Sequence, residues 1–326
     1  MFLWADKIII RLSIPSPINQ KTRRKRRVFS DPLDFCRTYD ILLRYMKKVL
    51  IIGAKGMLGS ELTKAFGGEE IYGWDYDEID ITDKNQVSRK IGNLCPDIII
   101  NAAAYNNVDK AEEEQQAANL LNGYAVGFLS KTANDCGATL VHYSTDYVFD
   151  GNSKDGYKEE DNPDPINAYG ASKLFGENEI KNNAKKYYII RLSKLFGKIG
   201  SSGLAKMSFI DTMLNLAQNK KDIEVINEEL SSPTYAPDLA EKTKYILENL
   251  LPFGVYHGAN SGACAWYELA KEIFKQTGMD TNVIAIDSDK FIRLAKRPKY
   301  SVLLNTKLPQ ARDWKEALRD YLNFKK

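Results

Sequence analysis

The chain is poor in the residues that bind metals and cross-link secreted proteins. Its 326 residues include four cysteines and two histidines. Cys36, Cys95, Cys136 and Cys264 lie far apart, with no Cys-x-x-Cys pair for zinc or redox work, so reduced thiols are expected. His142 and His257 belong to no metal-ligand pattern such as His-x-x-x-His, which leaves a metal site and a Ser-His-Asp hydrolase without support. Both histidines are read as ordinary, partly buried residues. No uncharged apolar run approaches the ~18 residues of a membrane span, so a soluble, cytoplasmic protein is expected. Nor does any repeat recur at spacings of roughly 20 to 50 residues.

A basic surface is missing too. The net charge of +3 is unevenly placed: residues 1–46 hold ten Lys and Arg against four Asp and Glu, leaving 36 against 39 for the rest. The main body is therefore faintly acidic, which argues against nucleic-acid binding, where a basic stripe displaces counterions. Core material is plentiful, with 44% hydrophobic residues. At this length one large domain with an appended lobe, or two domains, is the expected partition.

The first 45 residues differ in character from the rest of the chain. Phe2, Leu3 and Trp4 are interrupted by Asp6, Lys7 and Arg11 before a signal-peptide core of ~7 apolar residues is reached. The run Lys21, Arg23, Arg24, Lys25, Arg26, Arg27 fits a nuclear address or an RNA-binding tail. The plainer reading is that Met46 is the true start and residues 1–45 are a disordered or mis-assigned extension, because segments this charged seldom pack.

From Val49 to Ile52 the chain is fully apolar and rich in branched residues, as in a parallel strand covered on both faces. Gly53-Ala54-Lys55-Gly56-Met57-Leu58-Gly59 comes next, then a helical stretch from Ser60. In this order Gly53 makes a tight turn, Gly56 admits a pyrophosphate to the backbone, and Gly59 lets the helix pack on the strand. Free N–H groups at the helix start then face the anion. A second strand, Ile71–Trp74, ends at Asp75, placed to hold an adenosine ribose diol; taken alone it repels a 2′-phosphate and favours NADH. A third, Asp97–Asn101, leads into Ala102-Ala103-Ala104-Tyr105, small residues that let a cofactor lie against the backbone. Helices over 111–121 and 126–136 and a strand Thr139–Tyr143 continue the alternation. The expected fold is α/β: a doubly wound parallel sheet of the Rossmann type with a smaller C-terminal substrate-binding lobe.

Polar residues cluster after that fourth strand, in Ser144-Thr145-Asp146-Tyr147, at the carboxyl end where open α/β sheets place their sites. Further along the chain, Tyr169 and Lys173 stand four apart in a helical stretch and project from one face. Tyrosine, with a reference pKa near ~10, exchanges protons sluggishly at neutral pH. An ammonium about 4 Å away at an effective dielectric near 20 contributes roughly 4 kcal/mol, or about 3 pKa units. Lys173 is thus expected to bring Tyr169 toward neutrality, with Thr145 orienting a substrate carbonyl.

These residues resemble the extended short-chain dehydrogenase/reductases and, within them, the dTDP-4-dehydrorhamnose reductase family. The narrower likeness rests on Asn101-Ala102-Ala103-Ala104-Tyr105, Val108-Asp109-Lys110-Ala111-Glu112, His142-Tyr143-Ser144-Thr145-Asp146-Tyr147-Val148-Phe149, Ser232-Pro233-Thr234, Gly254-Val255-Tyr256-His257 and Arg297-Pro298. It spans Met46 to Lys326. The resemblance implies Tyr169 as general acid, Lys173 as the partner that binds the nicotinamide ribose and tunes it, and Thr145 completing the triad. Gly56, Met57 and Leu58 would cradle the pyrophosphate, with Asp80 and Ile81 near the adenine. Ala103, Ala104, Tyr105 and Tyr143 would line NADPH or NADH, and Asp146 would touch the sugar. One departure stands out: Lys194 occupies a position that is usually aromatic beside the sugar, where it would hydrogen-bond a hydroxyl instead of stacking.

The implied partition is a dinucleotide-binding part over 46–195 and a sugar-nucleotide lobe over 196–326, interleaved with it and including a helix from Leu204 to Gln218. Basic residues near Arg293, Lys296, Arg297 and Lys299 are candidates for the substrate diphosphate, or a solvated basic face. The expected partner is a nucleotide sugar, with no nucleic acid and no membrane, in a monomer or homodimer. The expected reaction is reduction of the C4 ketone of a nucleotide-linked deoxysugar. Two other readings keep the fold: an epimerase or dehydratase recycling bound NAD, with Asp146 as its extra acid/base, and a non-catalytic regulatory subunit.

Overall fold

Alternating strands and helices organise the computed structural model, which describes residues 46–203 and 205–325. The readings made for residues 1–45 and the helix start at Leu204 lie outside the described residues. In chain order come β1 (Lys48–Ile52), α1 (Met57–Ala65), β2 (Glu70–Trp74), α2 (Lys84–Leu94), β3 (Ile98–Asn101), α3 (Ala125–Cys136), β4 (Thr139–Thr145), α4 (Ala168–Asn183) and β5 (Tyr187–Leu192). They are followed by α5 (Phe209–Ala217), β6 (Asp222–Ile226), α6 (Ala236–Glu248), β7 (Gly254–His257), α7 (Trp266–Thr277), β8 (Asn282–Ile286) and α8 (Trp314–Phe324).

Six strands form one sheet in the order β7-β5-β4-β3-β1-β2, every neighbour parallel. Strands that run parallel need crossover connections, and the intervening helices cover both faces. Because side chains alternate along a strand, β1 sends Val49 and Ile51 to one face and Leu50 and Ile52 to the other. On the first face they meet Leu58 and Leu62 of α1 and Leu239 and Ile246 of α6. On the second they meet Val87 and Ile91 of α2, Val126 and Leu129 of α3, and Ile180 of α4. This two-sided burial explains why the strands read as unbroken apolar runs.

Residues 236–257 supply α6 and the edge strand β7 of this same sheet, so the sheet draws on chain far beyond residue 195. A further apolar cluster joins α5, β6, α7 and α8, through Ile210, Met213, Ile223, Leu269, Phe274, Trp314, Leu318 and Tyr321. There β6 pairs with β8 in parallel.

Three boundaries differ from the sequence reading, each for a local reason. β4 continues two residues past Tyr143, because Ser144 and Thr145 pair with Arg191 and Leu192 of β5. The helix expected over 111–121 is broken into Lys110–Glu113, Gln115–Asn119 and a π-helical turn, Leu120–Tyr124, that runs into α3. That turn aims Asn122 inward, where it holds the backbone of Tyr105 and the hydroxyl of Ser172, all at 2.9 Å. α5 starts at Phe209, since Ser208 and Asp211 form a reciprocal capping box there.

Candidate active site

The glycine turn is built as its sequence suggests. Gly53 has φ +78°, a left-handed conformation that other residues resist, and a Cβ there would lie 2.9 Å from the backbone N of Ala103. At Gly59 a Cβ would be 2.0 Å from the Gly53 carbonyl, so only glycine lets α1 pack this closely on the turn. No side chain caps the N-terminus of α1 at Gly56, which leaves the amides of Met57 and Leu58 for an anion. This is a cradle with the shape and donors that a dinucleotide pyrophosphate requires.

At the adenosine end, β2 delivers Asp75 beside that turn. Its carboxylate accepts the Lys55 amide at 3.0 Å and the Tyr76 amide at 2.9 Å. The Lys55 ammonium pairs with both Asp77 and Glu78, and their hydrogen bonds and charges push its pKa up. Negative charge thus outweighs positive here. Asp80 accepts the amide and hydroxyl of Thr82, while Ile81 is buried in the second-face core.

The small residues after β3 are partly exposed, as a cofactor shelf needs. The Ala103 amide donates to Oδ1 of Asn101 at 3.1 Å, and the Tyr105 phenol donates to Glu114 at 2.5 Å. That bond to a carboxylate, with burial, pushes the Tyr105 phenol up to about 12. Tyr143, which the resemblance placed along the dinucleotide, has its ring in the first-face core and its hydroxyl 2.7 Å from that of Thr243 on α6.

Helix α4 is anchored where it matters. Asn167 caps it by accepting the Gly170 amide at 2.7 Å, and Glu112 accepts the Ala168 amide at 2.9 Å. This fixes Tyr169 in the first turn, edge-on to Tyr147 with ring centroids 5.9 Å apart. Thr145 ends β4, its hydroxyl donating to Asp146 at 3.1 Å and accepting the Tyr147 amide at 3.2 Å. One turn along α4, the buried Lys173 ammonium donates to the Tyr143 carbonyl at 2.6 Å and lies 3.2 Å from Nε2 of His142.

Electrostatics correct one expectation. Burial dominates at Tyr169 and pushes the phenol up to about 12, partly offset by the Thr145 hydrogen bond and reinforced by the charge of Asp146. Lys173 is not among the groups acting on it. Burial lowers Lys173 itself to about 8, with Glu177 acting in the opposite direction. The ammonium faces β4 here, so its field is spent on Tyr143 and His142 and not on the phenol.

Around the triad lies a polar wall that no local pattern announced. Asp146 accepts three hydroxyls: Ser301 at 2.6 Å, Ser193 at 2.7 Å and Thr145 at 3.1 Å. Its burial raises the carboxyl pKa despite these bonds. Oδ1 thereby positions Thr145, and Oδ2 is taken by the two serines. Lys194, at φ +42°, donates to the carbonyls of Cys264 at 2.7 Å and Glu229 at 3.1 Å and lies 4.4 Å from the Trp266 ring centroid. Two of its three ammonium donors therefore serve the protein backbone. Arg297 makes a two-pronged pair with Asp109, at 2.7 and 3.1 Å, and Arg293 pairs with Glu229. The charges of both arginines oppose the burial that raises the Tyr147 phenol. The sequence reading does not single out Ser193, Ser301 and Glu229, which converge from segments far apart in the chain, and it takes Asn101 and His142 for no site role.

Among the described residues no group of three or more His, Cys, Asp or Glu is arranged to hold a metal, and no helix is long and apolar enough to cross a membrane.

Comparison with known proteins places this geometry in a family. Residues 46–325 match the family model described as RmlD substrate binding domain. The spore coat polysaccharide biosynthesis protein SpsK of Bacillus subtilis (strain 168) is 38% identical over 85% of this chain and 97% of its own length. The dTDP-4-dehydrorhamnose reductase of Aggregatibacter actinomycetemcomitans is 36% identical over 84% of this chain and 98% of its own. A crystal structure of the dTDP-4-dehydrorhamnose reductase of Bacillus anthracis str. Ames in complex with NADP superposes with a TM-score of 0.81 at 37% identity, covering 86% of this chain and 99% of that one. Sheet order, glycine cradle, triad and these likenesses agree: the chain belongs to the RmlD substrate binding domain family, that of the dTDP-4-dehydrorhamnose reductases.

Proposed function

We propose that the protein is an NAD(P)H-dependent oxidoreductase that reduces the C4 ketone of a nucleotide-linked deoxysugar, converting dTDP-4-dehydro-L-rhamnose to dTDP-L-rhamnose. What supports this reading is Thr145 at the end of β4, with Tyr169 and Lys173 one turn apart on α4 and Lys173 donating to the Tyr143 carbonyl, in the same fold as the Gly53–Gly59 cradle. When bound, the reduced nicotinamide supplies the hydride. Tyr169, kept protonated by its burial, gives its proton to the C4 oxygen as negative charge develops there. Thr145, held by Asp146, orients the ketone. Lys173 holds the ribose, and Gly56, Met57 and Leu58 offer backbone to the pyrophosphate.

Arg297 and Arg293 are the residues assigned here to the diphosphate of the sugar nucleotide, each with its guanidinium fixed by a carboxylate. The named role of the Bacillus subtilis relative supports a product used in cell-surface polysaccharide. Asp146, with both oxygens committed to hydroxyls, is poorly placed as the free acid/base of an epimerase.

The test is direct. Purified protein is incubated with NADPH or NADH and dTDP-4-dehydro-L-rhamnose, following nicotinamide absorbance and the mass of the product. Coenzyme oxidation with a gain of two hydrogens by the sugar is expected. No oxidation beyond the blank with either coenzyme would overturn the reading.

A further inference from the structure

A buried polar chain runs from the cofactor shelf to the triad lysine, and its proton arrangement can be worked out link by link. The Ala103 amide donates to Oδ1 of Asn101 at 3.1 Å, so the other amide atom of Asn101 is Nδ2, which has only hydrogens to offer. Nδ2 lies 3.1 Å from Nδ1 of His142. Nδ1 must then present a lone pair. Burial, and after it the charge of Lys173, hold the His142 pKa well below its ordinary value, so the ring is neutral and its one proton sits on Nε2. That N–H points at Nζ of Lys173, 3.2 Å away. An ammonium has no lone pair to accept it.

We propose, building on the reductase function, that His142 is a positioning residue for the reaction. Locked by Asn101 as the Nε2–H tautomer, it denies the Lys173 ammonium an acceptor inside the sheet. One donor of Lys173 is then taken by the Tyr143 carbonyl, and the others are left for the nicotinamide ribose. The groups that bear on Lys173 are His142 and the Tyr143 carbonyl from β4 and Glu177 from its own helix. Glu177 is in turn neutralised by Arg191 of β5. Among them only the His142 N–H meets the ammonium with like polarity.

The chain's two histidines make the tautomer measurable. His257 has the opposite arrangement, with Nδ1 2.9 Å from the Leu304 carbonyl, to which it donates. Nitrogen-15 NMR of the full-length protein labelled on histidine is therefore expected to show one Nε2–H and one Nδ1–H ring at neutral pH. The Nε2–H signals should vanish in His142→Phe. An Nδ1–H or imidazolium ring at His142 overturns the proposal whether or not the protein proves to be a reductase.

Activity supplies a second readout. His142→Gln, whose amide oxygen offers the ammonium an acceptor inside the sheet, is expected to lower kcat/KM about tenfold, the equivalent of roughly one hydrogen bond. Activity that needs the ammonium is present below the Lys173 pKa of about 8 and lost as pH rises through it. In His142→Phe the opposing N–H is gone, so that basic limb should move to higher pH. A variant that folds and keeps the parent's pH profile counts against the proposal.

Discussion

Glu177 lies one helical turn beyond Lys173 on α4 and receives the Arg191 guanidinium in two parallel hydrogen bonds, Nε to Oε1 at 2.8 Å and Nη2 to Oε2 at 2.7 Å. Both side chains are buried, at 0% and 1% exposed, with the guanidinium carbon 5.0 Å from the Phe149 ring centroid. The pair bolts the triad helix to the sheet at β5. Removing one partner leaves a buried charge uncompensated, which costs about 3–5 kcal/mol. Arg191→Met is expected to lose that much in urea denaturation, and Glu177→Met with Arg191→Met to recover most of it. Burial opposes ionisation of Glu177, but the hydrogen bonds and charge of Arg191 win and depress its pKa. Its contribution is therefore full above the unfolded carboxylate value of ~4.3 and lost as pH falls below that through the folded value.

Tyr169→Phe tests proton donation alone. The phenol oxygen goes while the ring and its edge contact with Tyr147 stay. A positioned general acid contributes typically ~10²–10⁴-fold, so kcat should drop by that factor with coenzyme affinity nearly unchanged. A loss below threefold, measured under saturating substrate, would remove Tyr169 from the chemistry.

Asp75 governs the coenzyme comparison. Its carboxylate takes the Lys55 backbone amide while Asp77 and Glu78 take the Lys55 ammonium, a setting hostile to a further phosphate. Asp75→Asn is expected to move the NADH-to-NADPH ratio of dissociation constants about fivefold toward NADPH, the effect of roughly 1 kcal/mol between charges in high dielectric. Fluorescence titration of each coenzyme measures it without any turnover.

Lys194 stabilises two backbone carbonyls, of Glu229 and Cys264. Substituting Lys194→Met takes the ammonium from both and leaves the Cys264 carbonyl only the Ser231 amide at 3.3 Å, at a cost of about 1–3 kcal/mol in chemical denaturation. Because the ammonium is committed to these carbonyls, the KM for the sugar nucleotide should change less than threefold. A large rise in KM at unchanged stability would return Lys194 to the sugar site.

The main sheet was legible along the chain because parallel strands covered on both faces must be apolar without interruption, and glycine turns must stand where backbone meets backbone. Val49–Ile52, Gly53, Gly59 and the four-residue step from Tyr169 to Lys173 are local patterns of that kind. Harder to see was α6 with β7, which looks like part of a second lobe until the sheet claims it as its edge.

Sequence by itself determined the doubly wound fold, the glycine turn and the four-residue step that makes Tyr169 and Lys173 candidates for the chemistry, since each depends on spacing within a short stretch of chain. Tertiary structure alone decided what those residues face. Lys173 turns to the Tyr143 carbonyl, Asp146 collects hydroxyls from Ser193 and Ser301, and Arg297 reaches back to Asp109. Charge, tautomer and proton affinity are set by neighbours brought together across up to 188 positions of chain, and by the water that burial removes from around them.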